Sequence, residues 1–181
     1  HQLRSLPDPT RVPAVQMAMK GFGILANQRG QGRPPDDRHP LTPTQLQGLC
    51  RAATRTSKND YEARLFSAAF SLAFWGLMRG GELTAAHKRD KDNPCLRDSG
   101  VELRTIPAPT IRVTLQHSKA SPARPVTFNI QDVVAPPESC PFETTRRFLE
   151  VRPKKLKPGL PFLVHEDGVP LTKFHLRAAL E

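Results

Sequence analysis

The chain has 181 residues, with 27 Lys and Arg against 17 Asp and Glu, so it carries a formal charge of +10. That length allows one full domain, or a domain plus part of another, and the charge favours a polyanionic partner: DNA, RNA or an anionic membrane surface. The three cysteines, Cys50, Cys95 and Cys140, lie far apart without CxxC spacing, which excludes a disulfide framework and a cysteine-based zinc site and fits a reducing compartment.

Residues 1 to 13 contain Pro7, Pro9 and Pro13 and read as extended chain. From Ala14, Val15, Met19, Phe22 and Leu25 recur at helical spacing, weakened by Gly21 and Gly23. Residues 29 to 40, "RGQGRPPDDRHP", read as a linker. Thr42, Pro43 and Gln45 then form a capping-box signature. The helix they start places Leu46, Leu49, Cys50 and Ala53 on one face, and "TRTSKND" is expected to break it. Asp60 is the expected cap of a second helix, apolar on nearly every face in its second half. Its apolar run, Leu65 to Met78, is broken by Ser67 and Ser71. It is shorter than the roughly 20 residues of a membrane span, so no membrane partner is expected. Gly80 and Gly81 are expected to end this helix.

After Ala86 the pattern changes. "HKRDKDNP" is a polar loop, and short strands are expected around Asp98-Ser99-Gly100. Ile111, Val113 and Leu115 alternate with polar residues, as do Val126, Phe128 and Ile130. This predicts a β-hairpin with a long basic loop. Ser139 is the expected cap of a helix with Phe142, Thr145, Phe148 and Leu149 facing inward. "LPFLV" reads as a short apolar strand or turn, "EDG" as a tight turn, and Thr172 as the cap of a last helix. The chain stops inside that helix and begins on His1 rather than Met, which points to a fragment.

Familiar enzyme signatures are missing: there is no GxSxG, HExxH or GxxxxGK[ST]. "GFGILA" matches the dinucleotide fingerprint in letters only, since no clear strand precedes it. Of the six histidines, His1, His39, His87, His117, His165 and His175, no two lie four apart, so no metal site or other cofactor is expected. The stretch that asks for an explanation is "FSLAFWGLMRGGELTAA", where an apolar run ends on Arg79 and Glu82. By spacing alone, Arg79 binds the free carbonyls of the helix end and pairs with Glu82. Equally, an arginine held by a rigid helix is a good phosphate binder, because its planar fork makes two hydrogen bonds.

"FWGLMRGGELTAA" resembles the first arginine box of the tyrosine recombinase (phage integrase) family, in wording closest to its eukaryotic, transposon-borne branches. The order of the flanking segments is similar too, over roughly residues 38 to 181. A linker and capped helix, "HPLTPTQLQGLC", precede the box. Lys119 lies in a hairpin loop after it, followed by the Cys-Pro helix "SCPFETTRRFLEVR" and the segment "LPFLVHEDGVPLTKFHLRAAL". The resemblance implies a mainly α-helical fold with a small antiparallel β-sheet (α+β), a DNA breaking–rejoining catalytic core occupying residues 41–181 and incomplete at its C-terminus. Residues 1–28 would be the end of a preceding DNA-clamping helical domain.

The implied activity is DNA recombination or integration, in which a tyrosine attacks a backbone phosphate. Arg79 would hold the non-bridging oxygens, Lys119 would protonate the leaving oxygen, and Glu82 would support Arg79. No metal or cofactor is needed. The partner would be double-stranded DNA, with homo-oligomers assembled on it if the full-length protein is active. The setting would be nuclear or otherwise intracellular, and the source a mobile element or a gene derived from one. The chain departs from the family pattern in two places. It ends before the His-x-x-Arg box, and its one tyrosine, Tyr61, lies upstream of Arg79 where a packing residue is expected. The chain as given is therefore expected not to cleave DNA. The alternative is a domesticated, non-catalytic DNA-binding or scaffold domain. Lys88, Arg89, Arg146, Arg147, Arg152, Lys154, Lys155 and Lys157 form basic clusters that read either as phosphate contacts or as a solvated surface stripe.

Overall fold

Thr42 opens the first helix, α1 (Pro43–Thr56), by the reciprocal bonding its sequence predicts. Its hydroxyl accepts the Gln45 N–H at 3.2 Å, and the Gln45 side chain accepts the Thr42 N–H at 2.8 Å. The structure is a computed structural model that describes residues 40–86, 95–118, 124–131, 133–154 and 159–179. Apart from Pro40, all belong to one compact unit, Leu41–Glu181. The expected segments before residue 40 lie outside the described residues.

α1 does not break at Thr54. It continues to Thr56 because the Thr54 and Thr56 hydroxyls donate to the carbonyls of Cys50 and Ala52, 3.1 and 3.0 Å away. Bonded back to their own helix, these side chains no longer compete with it. Asn59, not Asp60, caps the second helix, α2 (Asp60–Trp75), accepting the Glu62 N–H at 2.9 Å. Asp60 instead lies in the first turn, where negative charge is favoured, and pairs with Arg64 at 2.8 Å.

α2 also ends earlier than the apolar run suggests. Gly76 is its last half-helical residue, and Leu77 takes the left-handed conformation with φ 48°. The Leu77 and Met78 N–H groups donate to the carbonyls of Phe74 and Ala73 at 3.3 and 3.0 Å. This is a Schellman ending, with a leucine in the position that glycine ordinarily takes. Gly76 is needed one residue earlier, for a different reason: a Cβ there would come within 2.6 Å of the Leu72 carbonyl and 2.9 Å of Ile130 Cδ1. Gly80 and Gly81 end nothing. They begin a separate four-residue helix, α3 (Gly80–Leu83).

Asp98–Gly100 forms one 3-10 turn, and the short strand expected around it is Val101–Arg104, directly after the turn. Three strands follow, β1 (Val101–Arg104), β2 (Thr110–Leu115) and β3 (Val126–Gln131), in an antiparallel sheet of order β1-β2-β3. Val101 faces Val113 across one pair, and Ile111 faces Ile130 across the other. The predicted alternation holds, with Ile111, Val113, Leu115 and Ile130 buried. The next helix, α4 (Pro141–Val151), starts from Cys140 rather than Ser139. The Ser139 carbonyl is taken by the Ser71 hydroxyl and the Trp75 indole N–H, at 3.3 and 3.0 Å, and its own hydroxyl donates to the Pro136 carbonyl. The last helix is α5 (Lys173–Ala178), capped by Thr172 as expected.

The architecture is thus mixed: helices around α2 and a small antiparallel sheet. Tyr61, Phe148 and Phe162 stack edge to face through the core, at centroid distances of 5.9 and 5.7 Å. Leu46, Leu65, Leu72, Leu96 and Leu163 fill the space around them. Each such burial is worth about 1.5–3 kcal/mol. The cysteines Cys50, Cys95 and Cys140 are buried and not disulfide-bonded. Among the described residues, no helix is long and apolar enough to cross a membrane.

Candidate functional site

The Schellman ending frees Arg79 from any capping duty. The Leu72, Ala73 and Phe74 carbonyls of α2 are already satisfied by backbone N–H groups, and the Arg79 guanidinium makes its hydrogen bond to Glu82. Arg79 is extended (φ −70°, ψ 146°) and stands immediately before α3. Its N–H donates to Glu82 Oε2 at 2.9 Å, and its Nη1 to Oε1 at 3.3 Å. The two side chains differ in exposure, 59% for Arg79 against 12% for Glu82. Glu82 is therefore an anchor set into the surface, and Arg79 a cation presented from it.

The anchor is tied in further directions. The Ser118 hydroxyl donates to Glu82 Oε1 at 2.8 Å, and the Leu96 N–H donates to the Glu82 carbonyl at 2.6 Å. Burial alone would raise the Glu82 pKa. The bonds from the Arg79 N–H, Ser118 and the Arg79 guanidinium outweigh it and hold the carboxyl below its ordinary value. Ser118 lies just beyond β2 and directly precedes Lys119 in sequence. Lys119 lies outside the described residues, as do Lys88, Arg89, Lys155 and Lys157.

Among the described residues, the other predicted cations are not brought to this site. Arg146 and Arg147 project from α4 and are held by acids of the same helix. Arg146 binds Glu143 through two nitrogens, at 2.9 and 2.7 Å, and also contacts Glu150. Arg147 binds Glu143 at 2.7 Å. The Arg147 carbonyl accepts from Arg64, eleven residues before the end of α2, or about 17 Å along the helix axis at 1.5 Å per residue. Arg152 is a correction to the basic-patch reading. It is buried at 8% exposure, donates to the carbonyls of Phe162 and Pro161 at 2.9 and 3.3 Å, and pairs with Asp98 at 2.9 Å. Its guanidinium lies over the Phe162 ring. Lys154 is exposed.

Tyr61 is a packing residue, as expected. It is 7% exposed and its hydroxyl donates to the Val164 carbonyl at 2.8 Å. Burial pushes its pKa up to about 12. His165 and His175, ten apart in sequence, meet through a 2.9 Å Nε2–Nδ1 hydrogen bond. They border a groove of about 1050 Å³ that Leu49, Ala53 and Phe66 also line. Among the described residues, no three His, Cys, Asp or Glu side chains assemble as a metal-binding group.

Two residues escaped the sequence reading. Ser118 gave no signal beyond its place beside Lys119. Lys173 follows the recognisable cap Thr172, yet nothing local relates it to Arg79. The relation is made by pairing: Ala85 and Thr172 form a parallel bridge, and the Ala85 N–H donates to the Leu171 carbonyl at 2.8 Å. This pairing brings the Lys173 ammonium over Gly81, 3.5 Å from where a Cβ on that glycine would stand.

No protein-family model, no curated protein and no solved structure matches this chain.

Proposed function

We propose that this chain is a DNA-binding portion of a tyrosine recombinase-like catalytic domain, with Arg79 contacting a backbone phosphate. The observation that supports it is the Arg79–Glu82–Ser118 relay. It fixes an exposed guanidinium to the residue preceding Lys119, so one half-buried carboxylate links the turn that carries the first candidate to the neighbour of the second. In this reading Arg79 neutralises the non-bridging phosphate oxygens, the charge stabilisation that phosphoryl transfer requires. Lys119 is the general acid for the leaving oxygen, and Glu82 holds Arg79 in place. These 181 residues bind without cutting, because their one tyrosine is Tyr61, buried and bonded to a carbonyl. That favours the non-catalytic DNA-binding reading for this chain as it stands.

The test is duplex DNA affinity measured against salt, with Arg79→Ala beside the parent. The parent should show a steep negative slope of log affinity on log salt. Arg79→Ala should reduce that slope by about one contact and leave the melting temperature nearly unchanged, since it removes one exposed ion pair worth at most about 1 kcal/mol. Absence of salt-dependent DNA binding by the parent would end this reading. A denaturant-resistant protein–DNA adduct would overturn the claim that the chain does not cleave.

A further inference from the structure

We propose that Lys173 is a second cation of the Arg79 site, and that the two together hold one phosphodiester of the DNA backbone over Gly80 and Gly81. The inference rests on the DNA-binding reading and adds to it a residue from a distant part of the chain. Its geometry begins with the Ala85–Thr172 bridge, which delivers Lys173 to Gly81 of α3. The Lys173 ammonium lies 3.5 Å from the site of a Gly81 Cβ, while at Gly80 a Cβ would meet nothing within 4 Å. Arg79, the residue before Gly80, is exposed on the same turn. One cation thus directly precedes, and another lies against, a stretch of backbone without side chains, where an anion can approach closely.

Charge accounting points the same way. Glu82, on the same short helix as Gly81, has oxygens that already accept from Arg79 and Ser118. Among the described residues, no carboxylate forms an ion pair with Lys173. Lys173 also occupies the first turn of α5, where the helix dipole disfavours positive charge. Neither packing nor pairing nor helix stability therefore accounts for a lysine here. A bound phosphate does, because it supplies the missing negative charge to Lys173 and Arg79 at once. An ammonium makes point contacts while the guanidinium offers its planar fork, so Arg79 would orient the phosphate and Lys173 would add charge from the other side.

The experiment compares the parent chain with Lys173→Gln, Lys173→Arg and the double variant Arg79→Ala/Lys173→Gln, in duplex DNA titrations across salt and in thermal melts. Lys173→Gln should weaken binding about fivefold at 0.15 M salt. That is the factor one released counterion supplies when log affinity falls by about 0.9 per decade of salt. Its melting temperature should be equal to the parent's or higher. Lys173→Arg should restore most of the affinity. The double variant should lose less than the two single losses combined, since both cations act on one phosphate. Parent-like affinity and slope in Lys173→Gln would overturn this inference while leaving the DNA-binding reading intact. So would a drop in melting temperature without a change of slope, which marks a structural lysine. Absence of salt-dependent binding by the parent would remove both.

Discussion

Replacing Arg152 by Ala separates a structural arginine from a DNA contact within one basic run. The guanidinium is buried and makes three polar contacts, to the Phe162 carbonyl, the Pro161 carbonyl and the Asp98 carboxylate. Burial lowers its pKa and Asp98 pulls it back up, so the charge is kept at a desolvation cost that these partners offset. A hydrogen bond to a charged group is worth about 1.5–3 kcal/mol. The Asp98 partner is half-exposed at 54%, so its ion pair adds at most about 1 kcal/mol. The 3.3 Å bond to Pro161 is weaker than the 2.9 Å bond to Phe162.

Counting the shorter bond fully and the others in part gives about 3 kcal/mol for Arg152→Ala, before any loss from packing of the stem on Phe162. For a domain of this size, each kcal/mol moves the melting temperature by about 2–4 °C. Thermal unfolding followed by circular dichroism should therefore show a fall of about 6–12 °C. DNA affinity and its salt slope, measured well below the melt, should match the parent's. A melt within about 2 °C of the parent together with a shallower salt slope would refute the reasoning. It would mean that Arg152 turns outward to phosphate.

Leu77→Gly should stabilise the chain by about 1 kcal/mol, because it removes the left-handed strain of a leucine with φ 48°. The side chain is 89% exposed, so little packing is lost. Urea denaturation should show a higher midpoint at unchanged slope, and an unchanged or lower midpoint would argue against strain at this position. Glu143→Gln should lower stability at neutral pH but not in strong acid. The Arg146 hydrogen bonds, against an opposing effect of burial and helped by Arg147, hold the Glu143 pKa at about 2, below an ordinary glutamate. A folded pKa depressed in this way contributes stability above about pH 4.5 that is lost as pH falls toward 2. The gap in melting temperature between parent and variant should close over that window. A gap constant from pH 7 to pH 2 would contradict the assigned cause.

The features legible in the sequence are those whose causes are local. Thr42 and Gln45 satisfy each other within four residues, and the alternation of Ile111, Val113 and Leu115 follows from the pleat of one strand. Thr172 caps its helix by the same short-range logic as Thr42. Failures occur where a distant residue decides. Gly76 serves close packing rather than the left-handed turn of the α2 ending, since Ile130, from β3, lies where a Cβ would stand. The burden passes to Leu77, and α2 ends before Arg79. Arg152 reads as one more cation of "RRFLEVRPKKLK", since nothing nearby reveals that Asp98 and the Pro161–Phe162 carbonyls will enclose it. Ser118 and Lys173 reach α3 only through long-range pairings. The Arg79–Glu82 pair itself was legible, being three residues apart on one turn. Its setting was not.

The buried thiols give the molecule its own clock. Cys50 lies on the face of α1 that meets Ser71 of α2, Cys95 precedes the 3-10 turn, and Cys140 caps α4, with exposures of 0%, 2% and 7%. A disulfide reagent in solvent attacks thiolate, and burial both hides the Cys50 sulfur and raises its pKa. At reagent concentrations where labelling outpaces reclosing, each cysteine is consequently modified at the rate at which its own region opens. Mass spectrometry of the labelled peptides would resolve three local opening rates in a single sample, without a single engineered residue. Under the DNA-binding proposal, duplex DNA added to that sample should slow only those openings that expose the surface it covers.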